Sequence, residues 1–172
     1  MTISVKIRKT VATQDGQYYL EYEPAEQGLS QAAHYGVTVP DLDHLDDVEF
    51  EAAVGINTAI AGQAPSIEDL QEIKIAIFRK SIRNFIYSQY DDGTQASLNA
   101  MMSGAIATGN LARLAYISTA LAWVQDCLTA YFTAKSSILA MTEAGAVQAT
   151  SIDYAALLNS KPAVSVAGAR GI

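Results

Sequence analysis

The fold is decided by residues 111–144, LARLAYISTALAWVQDCLTAYFTAKSSILAMTEA. Large side chains recur in this stretch at alternating spacings of three and four residues, which predicts one long α-helix with a heptad-like seam. Asn110, directly before it, is placed to cap the helix. The seam comprises Leu114, Ile117, Leu121, Val124, Leu128, Tyr131, Lys135 and Ile138. Such a seam forms either the core of a single chain or an interface between copies of the chain, and the sequence favours neither.

Two shorter helices are predicted upstream of this seam. Ser66 followed by Asp69 resembles a capping box with Asp in place of the usual Glu, and it predicts a helix that runs to about Tyr90. The apolar residues of that helix cover more than one stripe, so we expect it to be covered on two sides. A sharp break is expected at residues 91–93, and a shorter helix follows over about 95–108.

The beginning of the chain is typical of β-structure. Apolar and polar residues alternate over residues 3–8 and again over 18–23, which predicts two strands joined by a turn at 14–17. A short strand could follow at 35–39, and a short helix is expected at about 46–61. Because an isolated hairpin is marginal in water, this one should need a further strand or another protein to lie against.

The end of the chain loses the helical periodicity. Val164 and Val166 could add a strand to the sheet edge of a neighbouring molecule. We therefore predict an α+β protein, mostly α. It consists of an N-terminal β-hairpin region (1–40), a helical domain with one long helix in a bundle (41–147), and an extended C-terminal tail or arm (148–172).

Composition bounds the class of protein. The chain has 172 residues, of which 50% are hydrophobic and 17% charged, so it can bury a core of its own and is not a disordered chain. The first residues contain no continuous apolar region, and no stretch is apolar enough for a membrane span, so we expect a soluble chain made in a cytoplasm. The net charge of -7 argues against nucleic acid as a partner.

One group of side chains, the acidic cluster, could hold a divalent cation through carboxylate oxygens, which suit Ca²⁺ or Mg²⁺. It does not match a calcium-binding loop, because Leu45, Asp46 and Ala52 stand where an acidic ligand, the glycine and the final glutamate belong. The favoured interpretation is a solvated acidic start of a helix. The acidic cluster consists of Asp41, Asp43, His44, Asp46 and Asp47.

The remaining reactive residues form no catalytic motif. His34 and His44 are the only histidines, and neither lies near a serine or cysteine in a nucleophile motif. Cys127 is the single cysteine, which excludes a disulfide within the chain, and its position beside the seam favours a buried thiol. We therefore predict no enzymatic activity, no catalytic residue, no cofactor and no metal.

Positive charges form a band on the helix that begins after Ser66. A solvated face, pairing with Glu68 or Glu72, or pairing with acidic residues of a neighbouring subunit would each explain this basic band. A nucleic-acid surface would need exposed aromatic residues, whereas the adjacent Phe78 and Phe85 fit a core better. The basic band consists of Lys74, Arg79, Lys80 and Arg83.

Four short motifs carry a resemblance to known proteins. They are YDDGTQASL at residues 90–98, GN at 109–110, AW at 122–123 and AKSSI at 134–138. Together, over about residues 91–139, they resemble a helical module of tailed-bacteriophage tail and tail-fibre-associated proteins, in which an acidic turn leads into a short helix and then a long helix with a tryptophan. The resemblance implies a virion component or an assembly factor, and it carries over no catalytic residue.

These observations predict a non-enzymatic structural subunit of a bacteriophage particle, in the tail, the fibre or the neck. It would associate with copies of itself, with a trimer as the first expectation, and dock to other virion structural proteins, with the hairpin and the arm adding strands to adjacent chains. The predicted location is the virion, and the host cytoplasm during assembly; neither a membrane nor nucleic acid is an expected partner. The predicted interface residues are Leu114, Ile117, Leu121, Val124, Leu128, Tyr131, Ile138, Val164 and Val166.

Three alternative functions remain open from the sequence. The first is a tail-fibre assembly chaperone, which would be missing from finished particles. The second is a metal-dependent enzyme that uses the acidic cluster. The third is a host-encoded regulatory helical domain, which should stay monomeric or dimeric.

Overall fold

The computed structural model describes residues 2–26, 28–29, 33–42 and 45–172. As predicted, the chain is an α+β protein, mostly helical, with the sheet at its N-terminal end. The strands are β1 (Val5–Ala12), β2 (Tyr18–Pro24) and β3 (Tyr35–Val39). The helices are α1 (Asp46–Ala61), α2 (Ile67–Gln89), α3 (Asp92–Thr108), α4 (Leu111–Leu139), α5 (Ala144–Ala149), α6 (Tyr154–Asn159) and α7 (Val166–Arg170).

Contacts between residues group the chain into two units. The first unit takes Met1–Phe78 and Lys135–Thr150, and the second unit takes Arg79–Ala134 and Ser151–Ile172. The sheet, α1 and α5 belong to the first unit, whereas α3, α6 and α7 belong to the second, and α2 and α4 contribute residues to both. The three segments defined from the sequence stay a prediction.

The sheet is antiparallel with the strand order β1-β2-β3. Gly16 adopts a φ of 75° in the turn between β1 and β2, a conformation that glycine reaches without a steric penalty. Leu20 and Tyr22 lie on one face of β2 and are fully buried, which confirms the predicted alternation. Val37 of β3 lies opposite Leu20, so β3 supplies the further strand that the hairpin needs.

The outer strand β1 departs from the predicted alternation. Ile3 and Val5 are buried, but Ile7 is 43% exposed. The pairing with β2 shifts register between Ile7 and Lys9, which is a β-bulge, and β1 is exposed beyond Val5. Asn57 of α1 holds the buried start of this segment: its Oδ1 accepts from the Ile3 N–H at 2.8 Å and its Nδ2 donates to the Ile3 carbonyl at 2.9 Å.

Helix α2 begins with the predicted capping box. The Ser66 Oγ accepts a hydrogen bond from the Asp69 N–H at 3.2 Å, and the Asp69 carboxylate accepts one from the Ser66 N–H at 3.2 Å. These reciprocal bonds satisfy backbone donors that the first turn of a helix leaves unpaired. Helix α1, which precedes it, also matches its predicted bounds.

The burial of α2 changes along its length. Between Ile73 and Phe78 every side chain except that of Ala76 is buried, which confirms the expected covering for this half of the helix. After Phe78, the buried side chains narrow to a stripe through Ile82 and Ile86. The prediction of covering on two sides therefore does not hold for the second half.

Helix α3 begins earlier than predicted. Asp91 is its N-cap, with a carboxylate oxygen that accepts from the Thr94 N–H at 2.7 Å, so residues 92–93 lie in the first helical turn rather than in a break. Asn110 caps α4 as predicted, since its Oδ1 accepts from the Arg113 N–H at 3.0 Å.

Helix α4 ends at Leu139, before the predicted end at Ala144. The N–H groups of the next two residues bond to carbonyls three residues back, each at 3.1 Å, which tightens and closes the last turn. Gln71 then donates from its Nε2 to the carbonyls of Ile138 and Met141 at 3.1 and 2.8 Å. These bonds satisfy acceptors at the helix end, so the helix can stop there.

An aromatic cluster fills the core of the second unit. The ring of Trp123 lies 5.8 Å from that of Phe85 and 5.6 Å from that of Tyr90, between ring centres, and Phe85 lies 5.2 Å from Tyr154. The tilted and edge-on arrangements are those that aromatic pairs prefer.

The C-terminal segment is not the expected extended arm, because it carries short helices held within the second unit. The Trp123 Nε1 donates to the Leu157 carbonyl at 2.7 Å, and the Tyr90 hydroxyl donates to the Pro162 carbonyl at 3.0 Å. The polar groups of these two aromatic side chains thus donate hydrogen bonds to carbonyl groups of the irregular backbone in this segment.

Candidate functional site

A groove lies between α2 and α4 in the second unit, with a volume of about 320 Å³. The groove lies beside the second half of α2, where fewer side chains are buried. Helix α4 covers one side of α2 there and leaves another side accessible. Helix α3 contributes one side chain to it. The lining residues are Arg79, Ile82, Arg83, Ile86, Tyr87, Gln95, Val124, Leu128, Tyr131 and Phe132.

The two helices run antiparallel along the groove. Arg79 lies beside Tyr131, and Phe85, later on α2, lies beside Trp123, earlier on α4. The lining extends from Arg79 to Tyr87 on α2, which at ~1.5 Å per residue is roughly 12 Å, or about two helical turns. The lining of the groove therefore spans about two turns of a helix.

The floor of the groove is apolar. Ile82 and Ile86 are buried with 2% and 7% exposure, while Val124 and Leu128 are half-buried. Phe132, at one side, is 55% exposed. These side chains leave apolar surface that the second unit does not cover.

The rim of the groove is positively charged. The Arg79 Nε donates to the Tyr131 hydroxyl at 3.3 Å, and this bond raises the pKa of the guanidinium above its ordinary value. Arg83 donates to the Tyr87 hydroxyl at 3.4 Å and lies over its ring, 5.3 Å from the centre. None of the lining residues is acidic, although the whole chain has a net charge of -7. The groove is thus a basic and apolar region of an acidic protein.

The predicted interface residues of α4 fall into two groups. Ile117, Tyr131 and Ile138 are buried in the chain, with at most 5% exposure, so their surface already belongs to the core of a single molecule. Leu114 and Leu121 are half-buried, as are Val124 and Leu128 in the groove. The buried row of α4 is Ile117, Ala120, Trp123, Cys127, Tyr131, Ala134 and Ile138.

The predicted interface residues at the C-terminus take other positions. Val164 is buried, with 7% exposure, and Val166 is the first residue of α7. The Tyr116 hydroxyl helps to fix them, since it donates to the Ala163 carbonyl and accepts from the Ser165 N–H, both at 3.1 Å. Neither valine lies in a strand in this structure, and their role in an interface stays a prediction.

Lys74 corrects the interpretation of the basic band, because its side chain is fully buried rather than solvated. Its Nζ bonds to the Asp47 carboxylate at 2.7 Å and to the Gln148 carbonyl at 3.0 Å. It also lies 4.9 Å from the ring centre of Phe50 and 5.2 Å from that of Phe78. This buried ammonium joins α1, α2 and α5 in the first unit, and a paired, aromatic-lined site is what a buried charge requires.

The acidic cluster is described in part. Asp43 and His44 lie outside the described residues, while Asp47 is paired with Lys74. The described part of the chain contains no group of three or more histidine, cysteine, aspartate or glutamate side chains placed to hold a metal ion. The alternative of a metal-dependent enzyme is not tested by these observations, and the absence of a metal stays a prediction.

The remaining candidate residues have structural surroundings. Cys127 is fully buried, and burial together with the nearby Asp126 raises the pKa of its thiol to about 11, so the thiolate is scarce at neutral pH. His34 lies 3.1 Å from the Glu21 carboxylate and within hydrogen-bonding distance of Arg8, which places it in a polar cluster beside the sheet.

Comparisons with protein-family models, with curated proteins and with solved structures find no match for this chain. In the described part of the chain, no helix is long and apolar enough to span a bilayer. The function is therefore inferred from the groove and the side chains around it.

Proposed function

We propose that the protein is a non-enzymatic structural subunit of a bacteriophage particle, in the tail, the fibre or the neck. It acts by associating with copies of itself and by docking to neighbouring virion proteins. The observation that carries the proposal is the groove, which combines an apolar floor with an exposed phenylalanine and a charged rim. The phage context rests on the sequence resemblance over residues 91–139.

The physical argument for association is the apolar surface that remains in the groove. Fully burying an exposed phenylalanine or leucine side chain contributes about 1.5–3 kcal/mol, and Phe132 is more than half exposed. An apolar centre with a polar rim is the usual anatomy of a protein interface. The charged rim also steers and orients a partner, because electrostatic complementarity favours correct encounters.

Two measurements test this function. Analytical ultracentrifugation of the full chain over a concentration series should detect species larger than the monomer. Mass spectrometry of purified particles from the phage or prophage that encodes the chain should detect it as a component. A chain that stays monomeric at every accessible concentration contradicts self-association. A chain that binds fibre proteins but is missing from finished particles is instead an assembly chaperone.

A further inference from the structure

We propose that the groove binds the beginning of α2 from a second copy of this chain. The inference rests on the proposed function, since it names the surface through which copies associate. In this contact, Glu68 and Glu72 of one copy pair with Arg79 and Arg83 of the other, and the apolar floor is covered at the same time.

The arginine pair has the geometry for such a contact. Arg79 and Arg83 are one helical turn apart, so their side chains start about 5–6 Å from each other on the same face of α2. Each guanidinium has one described hydrogen bond, to a tyrosine hydroxyl, and therefore keeps further N–H donors for a ligand. In the ion pairs found among the described residues, neither arginine takes part.

A matching pair of carboxylates exists on this same chain. The described helices carry two pairs of carboxylates at a spacing of four residues, Asp47 with Glu51 and Glu68 with Glu72. The first pair is engaged, because Asp47 already binds the buried Lys74 at 2.7 Å. Glu68 and Glu72 are both exposed. Their spacing equals that of the arginines, so two charge-assisted bonds can form together.

The surroundings of the acidic pair suit an apolar groove. Pro65 and Ile67, next to Glu68, are half-buried and leave apolar surface accessible. One oxygen of Glu72 accepts from the Thr2 hydroxyl at 2.9 Å, and a carboxylate has a second oxygen for an arginine. A second copy therefore offers carboxylates to pair with the arginines and apolar surface to cover the floor of the groove.

A charge exchange tests this contact on the full-length protein. One variant carries Arg79→Glu with Arg83→Glu, and the other carries Glu68→Arg with Glu72→Arg. We expect each variant alone to self-associate about tenfold more weakly than the wild type, because like charges then face each other. A 1:1 mixture should recover association, because opposite charges meet again. Sedimentation velocity measures all three samples, and circular dichroism checks that each variant is folded.

A matched control reverses the same number of charges elsewhere, with Lys9→Glu and Arg170→Glu, both of which are exposed positions. This control should associate like the wild type. If the wild type associates but the two exchanged variants do so equally well, or their mixture recovers nothing, the contact is wrong and the proposed function stands. If exchanging the arginines abolishes only the binding of another virion protein, the occupant is that protein. A monomeric wild type overturns this contact and the self-association in the proposed function, whereas mass spectrometry of purified particles decides the docking to other virion proteins.

Discussion

Helix α2 runs through both units, but its side chains are buried to different extents in the two. In the first unit, the residues between Ile73 and Phe78 are buried almost all round, and even Lys74 lies inside between aromatic rings. In the second unit, a stripe through Ile82 and Ile86 is buried, and two arginines line an open groove. The most apolar part of the helix is thus covered by its own chain.

This difference bears on how apolar helices are interpreted. An apolar helix is often taken as a sign of association, yet most side chains between Ile73 and Phe78 of α2 are buried within the chain, where Lys74 bonds to α1 and α5. The open surface lies instead where the sequence is mixed, with arginines beside isoleucines. We therefore expect copies of the chain to associate through the second, less apolar half of α2.

The largest expected effect comes from two phenylalanines in the two environments. Phe78→Ala should lower the free energy of unfolding by about 3–5 kcal/mol, because Phe78 is 1% exposed and its loss leaves a cavity. Phe132→Ala, at a 55% exposed position, should change it by no more than about 0.5 kcal/mol. Urea denaturation followed by circular dichroism measures both. If the two substitutions lowered the free energy of unfolding equally, the contrast between the buried and the open environment would be wrong.

The next effect tests what the buried lysine contributes. Lys74→Ala should destabilise the protein by about 2–4 kcal/mol, because it leaves a cavity and an unpaired Gln148 carbonyl. Lys74→Met keeps most of the volume, and Asp47 is exposed enough to be hydrated, so the loss should be about 1 kcal/mol. The same denaturation assay applies. Equal losses for Lys74→Met and Lys74→Ala would show that the charge, which both variants remove, matters more than the volume.

A third prediction concerns the open half of the contrast. Phe132→Asp should weaken self-association by about tenfold, which corresponds to about 1.4 kcal/mol, because it places a charge beside the apolar floor. Leu111→Asp serves as the control, since Leu111 is 75% exposed and outside the groove. Sedimentation equilibrium gives both dissociation constants. Equal weakening by the two variants would exclude the groove as the contact.

The smallest effect compares one tyrosine from each unit. Tyr90→Phe should cost about 1 kcal/mol, because it removes the hydrogen bond to the Pro162 carbonyl. Tyr22→Phe should leave stability unchanged or slightly higher, since the buried Tyr22 hydroxyl has no hydrogen-bond partner among the described residues. Thermal unfolding of both variants beside the wild type is sufficient. A clear loss for Tyr22→Phe would indicate a bound water at that hydroxyl.

Local signals were readable from the sequence. The capping box at Ser66 and Asp69, the cap at Asn110 and the alternation in β2 each depend on residues within a few positions, and each is confirmed. The fold class follows from the same short-range patterns. The predicted end of α4 is less accurate, because it depends on hydrogen bonds from Gln71, which is distant in sequence.

The candidate functional site could not be predicted from local sequence signals in the same way. Lys74 looks like part of a solvated band, since its hydrogen-bond partners, Asp47 and Gln148, lie far away along the chain. The predicted seam on α4 runs through the large side chains, whereas the buried row also contains small ones such as Ala120 and Ala134. Small residues allow close packing but give a weak hydrophobic signal, so the predicted and the observed faces of the helix coincide only in part.

The bulged outer strand β1 has a consequence for crowding. Lys6, Arg8 and Lys9 are exposed along it, and the register shift after Ile7 interrupts its regular pairing geometry. Lys6 and Arg8 form ion pairs with two glutamates of β2, so this edge carries a row of charged side chains beside an irregular step. Such an edge is a poor template for another backbone. We therefore expect concentrated samples of the protein to resist edge-to-edge pairing of their sheets.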